Sequence, residues 1–215
     1  TETGMPWTSA IVSSGIPVAV GIAEAQKRLN KVDGGNRMVI CQFGDGAMEE
    51  GVFIESINYS SLKKLPILFA CEDNGLAIHS FKEARTPDNS YAKRISAYGL
   101  ETRECTYENP EQLVKEVSKA CKKIRFNQPQ FLIVKCCRWM EHVGVGFDWD
   151  LGYRHKNVLE HWKNFDLETN PRLWGHTKNT IQEINIEVKE KVEKIIKNSY
   201  TKEDVEINSL LDFVY

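Results

Sequence analysis

Two apolar stretches of the chain are each followed directly by a short polar segment that contains glycine. The first stretch covers 38–43 and the second covers 66–71. Short apolar runs bounded by turn residues predict buried strands, and the amphipathic residues 47–62 between them predict a connecting helix. A strand, a helix and a second strand in this order form a right-handed unit whose two strands are parallel.

The rest of the chain continues this alternation of helices and strands. The further predicted elements are helices over 15–29 and 90–98, strands over 101–106 and 131–137, a helix beginning at Pro110 after the cap Asn109, and a charged C-terminal helix with an apolar stripe at residues 181, 184, 188, 192 and 195. Long loops are expected over 141–157 and 163–180, where binding residues are often found. This pattern predicts an α/β fold with a doubly wound, mostly parallel sheet and helices on both faces.

Length and composition limit the kinds of protein that this chain can form. Its 215 residues (24.6 kDa, 41% hydrophobic) suit one sizeable domain over 1–215. A net charge of −2 and a pI near 6.2 argue against a nucleic-acid or anionic-membrane partner. The chain has no apolar stretch of membrane-spanning length and no charged-then-apolar leader, so we expect a cytoplasmic or organelle-matrix location.

The six cysteines lie at positions 41, 71, 105, 121, 136 and 137. No two of them form a Cys-x-x-Cys pair, and several lie in apolar, strand-like runs. We therefore expect reduced, buried thiols rather than disulfides or zinc ligands.

The polar segments after the two apolar strands predict a metal site. Gly44-Asp45-Gly46 follows the first strand and Asp73-Asn74-Gly75 follows the second. Because the carboxyl ends of neighbouring parallel strands meet at one edge of a sheet, where such folds bind ligands, these segments should lie close together. Mg²⁺ prefers hard oxygen ligands and usually takes only one or two carboxylates. The Asp45 carboxylate, the Asn74 amide oxygen and the Leu76 carbonyl would suffice.

The glycine at position 46 predicts an anion beside the metal. Gly46 and Ala47 are expected to open the helix 47–62, where unpaired N–H groups favour an anion such as a diphosphate. Glycine-bearing turns are the plain alternative for either tripeptide. Two of them, each ending an apolar strand and separated by one helix, favour a binding site. Nicotinamide binding is not expected, because its fingerprint requires three spaced glycines and 44–49 contains two.

The flanking residues extend this interpretation to a protein family. The run 44–80 (GDGAMEEGVFIESINYSSLKKLPILFACEDNGLAIHS) resembles the cofactor-binding core of the alpha subunit of thiamine-diphosphate-dependent 2-oxo acid dehydrogenases. Residues 10–21 are similar to the family's segment before its first helix, and Leu210 to Tyr215 resemble its C-terminus. Arg138-Trp139-Met140-Glu141-His142 and Gly152-Tyr153-Arg154 resemble its active-site loop. The similarity spans almost all of the chain.

The resemblance implies a role for particular residues of this sequence. The metal ligands are Asp45, Asn74 and the Leu76 carbonyl, the cofactor contacts are Ala10, Val12, Gly44, Asp45, Gly46, Ala47, Asn74, Leu76, Ile78 and His142, and the catalytic residue is His142. Among these, Ile78 is the apolar residue that bends the cofactor. His79 is a weaker candidate for the same site. Val143 and Gly152 stand where kinase-regulated members have serine, so regulation by phosphorylation at these two positions is not expected.

The resemblance also implies a function and partners. It implies a thiamine-diphosphate-binding fold, thiamine diphosphate and Mg²⁺ as cofactors, and decarboxylation of a 2-oxo acid. It further implies a beta subunit that completes the active site in an α2β2 heterotetramer, and a lipoyl acyltransferase as a further partner. The family has a segment before the position of Thr1, so we expect this domain to lack an N-terminal segment. Two alternatives remain: a transketolase-type ketol transferase or carbon–carbon lyase subunit, and a non-catalytic assembly subunit of the same fold.

Overall fold

The structure is a computed structural model that describes residues 4–87 and 90–200. The chain divides into two compact units, Thr1–Phe165 and Asp166–Tyr215. The single domain expected over 1–215 stays a prediction. The C-terminal residues 210–215, which resemble the family's C-terminus, lie outside the described residues.

The first unit alternates helices and strands. In chain order these are α1 Gly15–Asp33, β1 Val39–Gly44, α2 Gly51–Lys63, β2 Ile67–Asp73, β3 Leu76–Ala77, β4 Ser80–Phe81, α3 Tyr91–Ser96, β5 Glu101–Thr106, α4 Pro110–Ile124, β6 Gln130–Lys135 and α5 Lys156–Lys163. The predicted order of the elements up to β6 is confirmed. Asn109 caps α4 as expected, because its side-chain oxygen accepts a hydrogen bond from the Gln112 N–H at 3.0 Å.

The four long strands form one parallel sheet in the order β1-β2-β6-β5. Gly44 of β1 lies opposite Glu72 of β2, and Asp73 lies opposite Lys135 of β6. The residues that follow β1, β2 and β6 therefore emerge at the same edge of the sheet. β3 and β4 form a separate antiparallel pair just beyond the end of β2.

Both faces of the sheet are covered, as expected for a doubly wound fold. Phe69 and Phe131 lie in the larger apolar cluster with residues of α1, α2 and α3. Their neighbours Leu68 and Leu132 point to the opposite face and pack with Ala120 and other residues of α4. Because successive residues of a strand face opposite sides, burial of both sets makes β2 and β6 the central strands.

The segment after β1 differs from its prediction. A 3₁₀ turn, Asp45–Glu49, follows the strand directly, Glu50 is extended, and α2 begins only at Gly51. The sequence predicted a helix from residue 47. Three of the five turn residues, Asp45, Ala47 and Met48, are buried, so the chain folds back against the strand ends before the helix starts. The N-terminus of α2 therefore does not lie at Gly46, and the prediction that this helix terminus favours a diphosphate at Gly46 and Ala47 is wrong.

Two other predictions are modified by the structure. The short helix α5 was not predicted, because its residues lie between the loops expected over 141–157 and 163–180 and overlap the ends of both. Cys41, Cys71 and Cys105 are buried free thiols as expected, whereas the other three cysteines are free and half-buried. Among the described residues, no helix is both long and apolar enough to cross a lipid bilayer.

The second unit contains a 3₁₀ turn, Pro171–Trp174, and the helix α6, Lys178–Ser199. The side chain of Thr177 caps α6 by accepting a hydrogen bond from the Thr180 N–H at 3.1 Å. The expected apolar stripe is present. Ile181 is its buried member, while Ile184 and Val188 are exposed.

Candidate metal and diphosphate site

Asp45 directly follows β1 at the carboxyl edge of the sheet and is fully buried. Its Oδ2 atom accepts a hydrogen bond from Nη2 of Arg85 at 2.5 Å. Its Oδ1 atom has no hydrogen-bond partner among the described residues. Burial raises the pKa of Asp45, although the hydrogen bond and charge of Arg85 act in the opposite direction. A buried carboxylate oxygen without a partner is the type of group that ligates a cation.

A network of charged side chains surrounds this carboxylate. Glu49 lies 3.9 Å from Nη1 of Arg85 and accepts two hydrogen bonds from Arg94 at 3.2 and 3.3 Å. On the other side, the Lys82 ammonium pairs with Asp73 at 2.9 Å. Acidic and basic groups therefore alternate around Asp45, and the pairs Asp45–Arg85 and Asp73–Lys82 have little exposure to solvent.

Gly46 makes a close contact with the strand β3. A Cβ atom at position 46 would lie 2.8 Å from the Cβ atom of Ala77, which is closer than such atoms normally approach. Packing within the protein itself therefore favours glycine at this position, and the contact brings Asp45 and Gly46 against the segment that carries Leu76.

The segment before α1 is joined to the same turn. The Ser13 hydroxyl donates a hydrogen bond to the Ala47 carbonyl at 2.5 Å, and Ser13 has a positive φ of 63°. This hydrogen bond places the short stretch with Ala10 and Val12 beside the turn. Both residues are exposed, as is Ile11.

The turn after β2 carries the second predicted ligand. The Asn74 Oδ1 atom accepts a hydrogen bond from the Leu76 N–H at 3.0 Å, and Asp73 Oδ1 accepts one from the Gly75 N–H at 3.1 Å. These bonds fix the path of the chain between β2 and β3. An amide oxygen has two lone pairs, so the Asn74 oxygen retains one for a cation.

Ile78 is held in a left-handed conformation, with φ of 55°. This conformation is rare for a β-branched residue and persists only where the surroundings impose it. The Ile78 carbonyl accepts a hydrogen bond from Nη1 of Arg138 at 2.9 Å. Its side chain is 51% exposed, so Ile78 projects from the β3–β4 turn next to the predicted ligands.

The long segment between β6 and α5 is organised by a buried carboxylate. Asp148 is fully buried and accepts hydrogen bonds from Arg138 at 2.7 Å, from Arg154 and from the Tyr153 hydroxyl. Burial alone would raise the pKa of Asp148, but hydrogen bonds and charges from Arg154 and Arg138 outweigh it and lower the pKa. The ionised Asp148 carboxylate therefore stabilises the fold fully at neutral pH, and this stabilisation is lost only as the pH falls through the lowered pKa.

The two arginines of this cluster also bind the backbone and pack on an aromatic ring. Arg154 donates to the Arg138 carbonyl at 2.6 Å, and its guanidinium carbon lies 3.6 Å from the centre of the Trp149 ring. Since Arg138 also reaches Ile78, this cluster attaches the base of the loop to the predicted metal site.

His142 lies in this loop and is exposed. No hydrogen bond or ion pair joins its ring to another described residue. The structure therefore brings the base of the loop to Ile78 but does not bring His142 into a polar contact with Asp45 or Asn74. The ring of His79 contacts the Tyr153 ring, with centroids 4.7 Å apart.

These placements test whether the chain can hold Mg²⁺ and a diphosphate. The residues fit, because a buried carboxylate oxygen, an amide oxygen with a free lone pair and the start of β3 meet at one sheet edge. Within residues 4–87 and 90–200, no group of three or more His, Cys, Asp and Glu side chains could hold a metal. A cation at this edge would therefore need further oxygen ligands from outside these residues, such as water or phosphate.

Sequence reasoning missed two of the residues that shape the site. Arg85 stands outside any motif, and no local pattern marks it. Asp148 lies between the resembled residues Arg138 and Tyr153-Arg154, so two arginines flanking one acid could have identified it.

Comparison with known proteins shows where this chain belongs. The family described as Dehydrogenase E1 component matches residues 1–207. The alpha subunit of mitochondrial 2-oxoisovalerate dehydrogenase from Mus musculus is 30% identical over 159 residues, which cover 74% of this chain and 35% of that protein. The pyruvate dehydrogenase E1 component subunit alpha of Rickettsia bellii is 26% identical over 191 residues, covering 88% of this chain and 56% of that protein.

A solved structure shares part of the fold. The transketolase from Campylobacter jejuni superposes with a TM-score of 0.53 and 25% identity, covering 60% of this chain and 20% of that chain. This chain therefore spans about a third to a little over half of the length of the two relatives above, and a smaller part of the transketolase.

The contact between Gly46 and Ala77 gives a first prediction. We expect Gly46→Ala to lower the free energy of unfolding by about 1–3 kcal/mol, because the new methyl group overpacks the turn against β3. Adding Ala77→Gly should recover most of this loss, and Ala77→Gly alone is the matched control. Urea unfolding measures all three variants. Equal stability of Gly46→Ala and the wild type would contradict the contact.

The buried Asp148 cluster gives a second prediction. We expect Asp148→Asn to speed tryptic cleavage after Arg138 and Arg154 at least about tenfold, because removing one partner of a buried ion pair leaves uncompensated charge and opens the loop. Asp150→Asn is the control, since Asp150 is an exposed acid that pairs with the exposed Lys156. Cleavage at the wild-type rate in Asp148→Asn would show that the loop does not depend on this carboxylate.

Proposed function

The chain belongs to the dehydrogenase E1 component family, and from that premise we propose that it is the alpha-type, cofactor-anchoring subunit of a thiamine-diphosphate-dependent 2-oxo acid dehydrogenase. The buried Asp45 carboxylate, with one oxygen unpartnered in the described structure, is the observation that carries this proposal. When bound, the cofactor would supply the electron sink for decarboxylation. The protein would bind, orient and shield it.

In this proposal, different residues at the sheet edge bind the metal and the diphosphate. Asp45, Asn74 and the Leu76 carbonyl would hold Mg²⁺, and the Mg²⁺ would hold the diphosphate. The backbone of Gly44, Gly46 and Ala47 would lie along the diphosphate. The joined turns from Gly44 to Ala47 and from Asn74 to Leu76 support this division, since each packs on the other.

Residues on either side of this centre would contact the rest of the cofactor. Ala10 and Val12 would reach the aminopyrimidine ring, which the bond from Ser13 to Ala47 supports by holding this segment beside the turn. Ile78 would bend the cofactor from its constrained left-handed position. These roles depend on the family resemblance together with the geometry.

His142 would act as the catalytic residue of the loop, carrying a proton near the cofactor diphosphate. Its exposure leaves the ring free to turn toward a bound ligand, and the Asp148 cluster holds the base of the loop at Ile78. Loops of this kind often complete an active site only when substrate binds.

A partner subunit would complete the site. The proposed residues bind the cofactor but include no acid that would protonate its aminopyrimidine ring, and the two relatives above are each named as an alpha subunit. We therefore propose a beta subunit in an α2β2 heterotetramer, a 2-oxo acid as substrate, and a lipoyl acyltransferase as the next partner. The location in the cytoplasm or an organelle matrix stays a prediction.

The main test of the proposed function is the Asp45 carboxylate. We expect Asp45→Asn to abolish Mg²⁺-dependent binding of thiamine diphosphate, because the cation loses its only carboxylate ligand in the proposed set. Asp33→Asn is the control, because Asp33 is an exposed acid that pairs with Arg37. Isothermal calorimetry with and without Mg²⁺ measures both variants. Unchanged, metal-dependent affinity in Asp45→Asn would remove the central claim.

A further prediction concerns His142. We expect His142→Ala to retain the fold and most of the cofactor affinity but to reduce the turnover of the complete enzyme by about 10²–10⁴-fold, the usual contribution of a positioned acid or base. His155→Ala, an exposed histidine of the same segment, is the control. Wild-type kcat in His142→Ala would exclude the catalytic role, and a parallel loss of cofactor affinity would assign it to binding.

An active site shared between this chain and a beta subunit, here called the split site, predicts that this chain alone has no catalytic activity. We expect decarboxylation of 2-oxo acids, followed with an artificial electron acceptor, only when a beta subunit is added. The reason is that the proposed set contains no acid that would protonate the aminopyrimidine ring of the cofactor. Robust turnover by this chain alone would refute the split site. Ketol transfer by the assembled enzyme, without 2-oxo acid oxidation, would favour the transketolase-type alternative.

A further inference from the structure

We propose that Arg85 is a ligand of the cofactor diphosphate, binding it through its guanidinium nitrogens Nε and Nη1 while the third nitrogen, Nη2, holds Asp45. This inference rests on the proposed function, because it assumes that a diphosphate binds at this edge of the sheet. It adds a residue that no motif marks.

The first observation is that Arg85 is buried with unsatisfied donors. Its side chain is 10% exposed, and Nη2 donates to Asp45 Oδ2 at 2.5 Å. Its Nε and Nη1 atoms are buried and have no hydrogen-bond partner in the described part of the chain. Buried guanidinium donors are nearly always paired, so two unpaired donors on one side chain indicate an acceptor that is not part of this chain.

The nearest acid does not satisfy these donors. Glu49 Oε1 lies 3.9 Å from Nη1 of Arg85, which is beyond hydrogen-bond length. Both Glu49 oxygens already accept hydrogen bonds from Arg94. Glu49 therefore contributes charge to Arg85 but leaves its donors available.

The other cations of the site differ from Arg85 in this respect. Arg94 donates to Glu49 and to the Met48 carbonyl. Lys82 pairs with Asp73, and its ammonium lies 3.7 Å from the centre of the Tyr91 ring. Both of these side chains are bound to other protein groups.

The chemistry of the donors favours a phosphate ligand. Nε and Nη1 point in different directions within one plane, so a single carbonyl oxygen cannot accept from both. A diphosphate presents several charged oxygens and can do so, and guanidinium–phosphate hydrogen bonds are among the stronger ones in proteins. The acceptor also has to lie beside Asp45, which is where the proposed cation would hold a diphosphate.

Charge separates this role from a purely structural one. Arg85 repels a divalent cation at Asp45 and attracts a diphosphate anion, so its removal should affect the two ligands in opposite directions. If Arg85 only positioned the Asp45 carboxylate, its removal would weaken the binding of both ligands. The two roles therefore differ in the sign of one measurable effect.

The test uses the whole chain, with Mn²⁺ alone and inorganic diphosphate in the presence of Mg²⁺ as probes. We expect Arg85→Gln to weaken diphosphate binding by about tenfold or more, because a charged donor pair is lost. The same variant should bind Mn²⁺ alone as tightly as the wild type or more tightly. Arg94→Gln is the matched control, with the same charge change in the same network, and should change neither affinity by more than about twofold.

Two outcomes would overturn the inference. Unchanged diphosphate affinity in Arg85→Gln would show that the guanidinium does not bind the anion. A loss of Mn²⁺ affinity together with diphosphate affinity would assign Arg85 to the positioning of Asp45. In either case the proposed function would stand if the wild type binds the probes and Asp45→Asn does not. If the wild type binds neither Mn²⁺ nor diphosphate, both the proposed function and the role of Arg85 are wrong.

A second variant keeps the inference testable if Arg85→Gln does not fold. Arg85→Lys retains the positive charge next to Asp45 but replaces the planar donors by one ammonium. We expect it to keep the wild-type Mn²⁺ affinity and to bind diphosphate more weakly than the wild type. Wild-type affinity for both probes in Arg85→Lys would overturn the role of the guanidinium donors.

Discussion

A fully buried carboxylate at the end of the first strand is the constraint on which this edge of the sheet depends. Asp45 cannot remain charged inside the protein without a compensating partner, since the cost of desolvating an isolated charge is several kcal/mol. Arg85 supplies part of that compensation through a single hydrogen bond to Oδ2. The second oxygen remains available, and the proposed cation would use it. The burial of the Asp45 charge thus links the fold at this edge to the proposed binding of a cation.

The parallel sheet makes this arrangement possible. Because β1 and β2 run in the same direction and pair with Gly44 opposite Glu72, the turns after both strands meet at one edge. The contact of Gly46 with Ala77 then packs the first turn on the segment after the second. A sheet with antiparallel neighbours would place these turns at opposite edges, and the ligands could not converge.

A second buried carboxylate organises the loop between β6 and α5. Asp148 joins Arg138 and Arg154, and Arg138 in turn binds the carbonyl of Ile78. The loop with His142 is therefore fixed at its base and exposed at its tip. This combination suits the role proposed for His142, because the loop is attached near Ile78 while the exposed ring can meet a bound ligand.

The sequence alone determined the order of strands and helices around the sheet, the parallel direction of β1 and β2, and the two polar turns that follow them. These features depend on apolar periodicity and on turn residues such as Gly44, Gly46 and Gly75, which are local properties of the chain. Family membership follows from the same residues. The tertiary structure alone decided that a 3₁₀ turn precedes α2, that Gly46 packs on Ala77, and that Arg85 and Asp148 complete two buried ion pairs. Those contacts join residues as far as 40 positions apart, and no local pattern encodes which buried charge will find which partner.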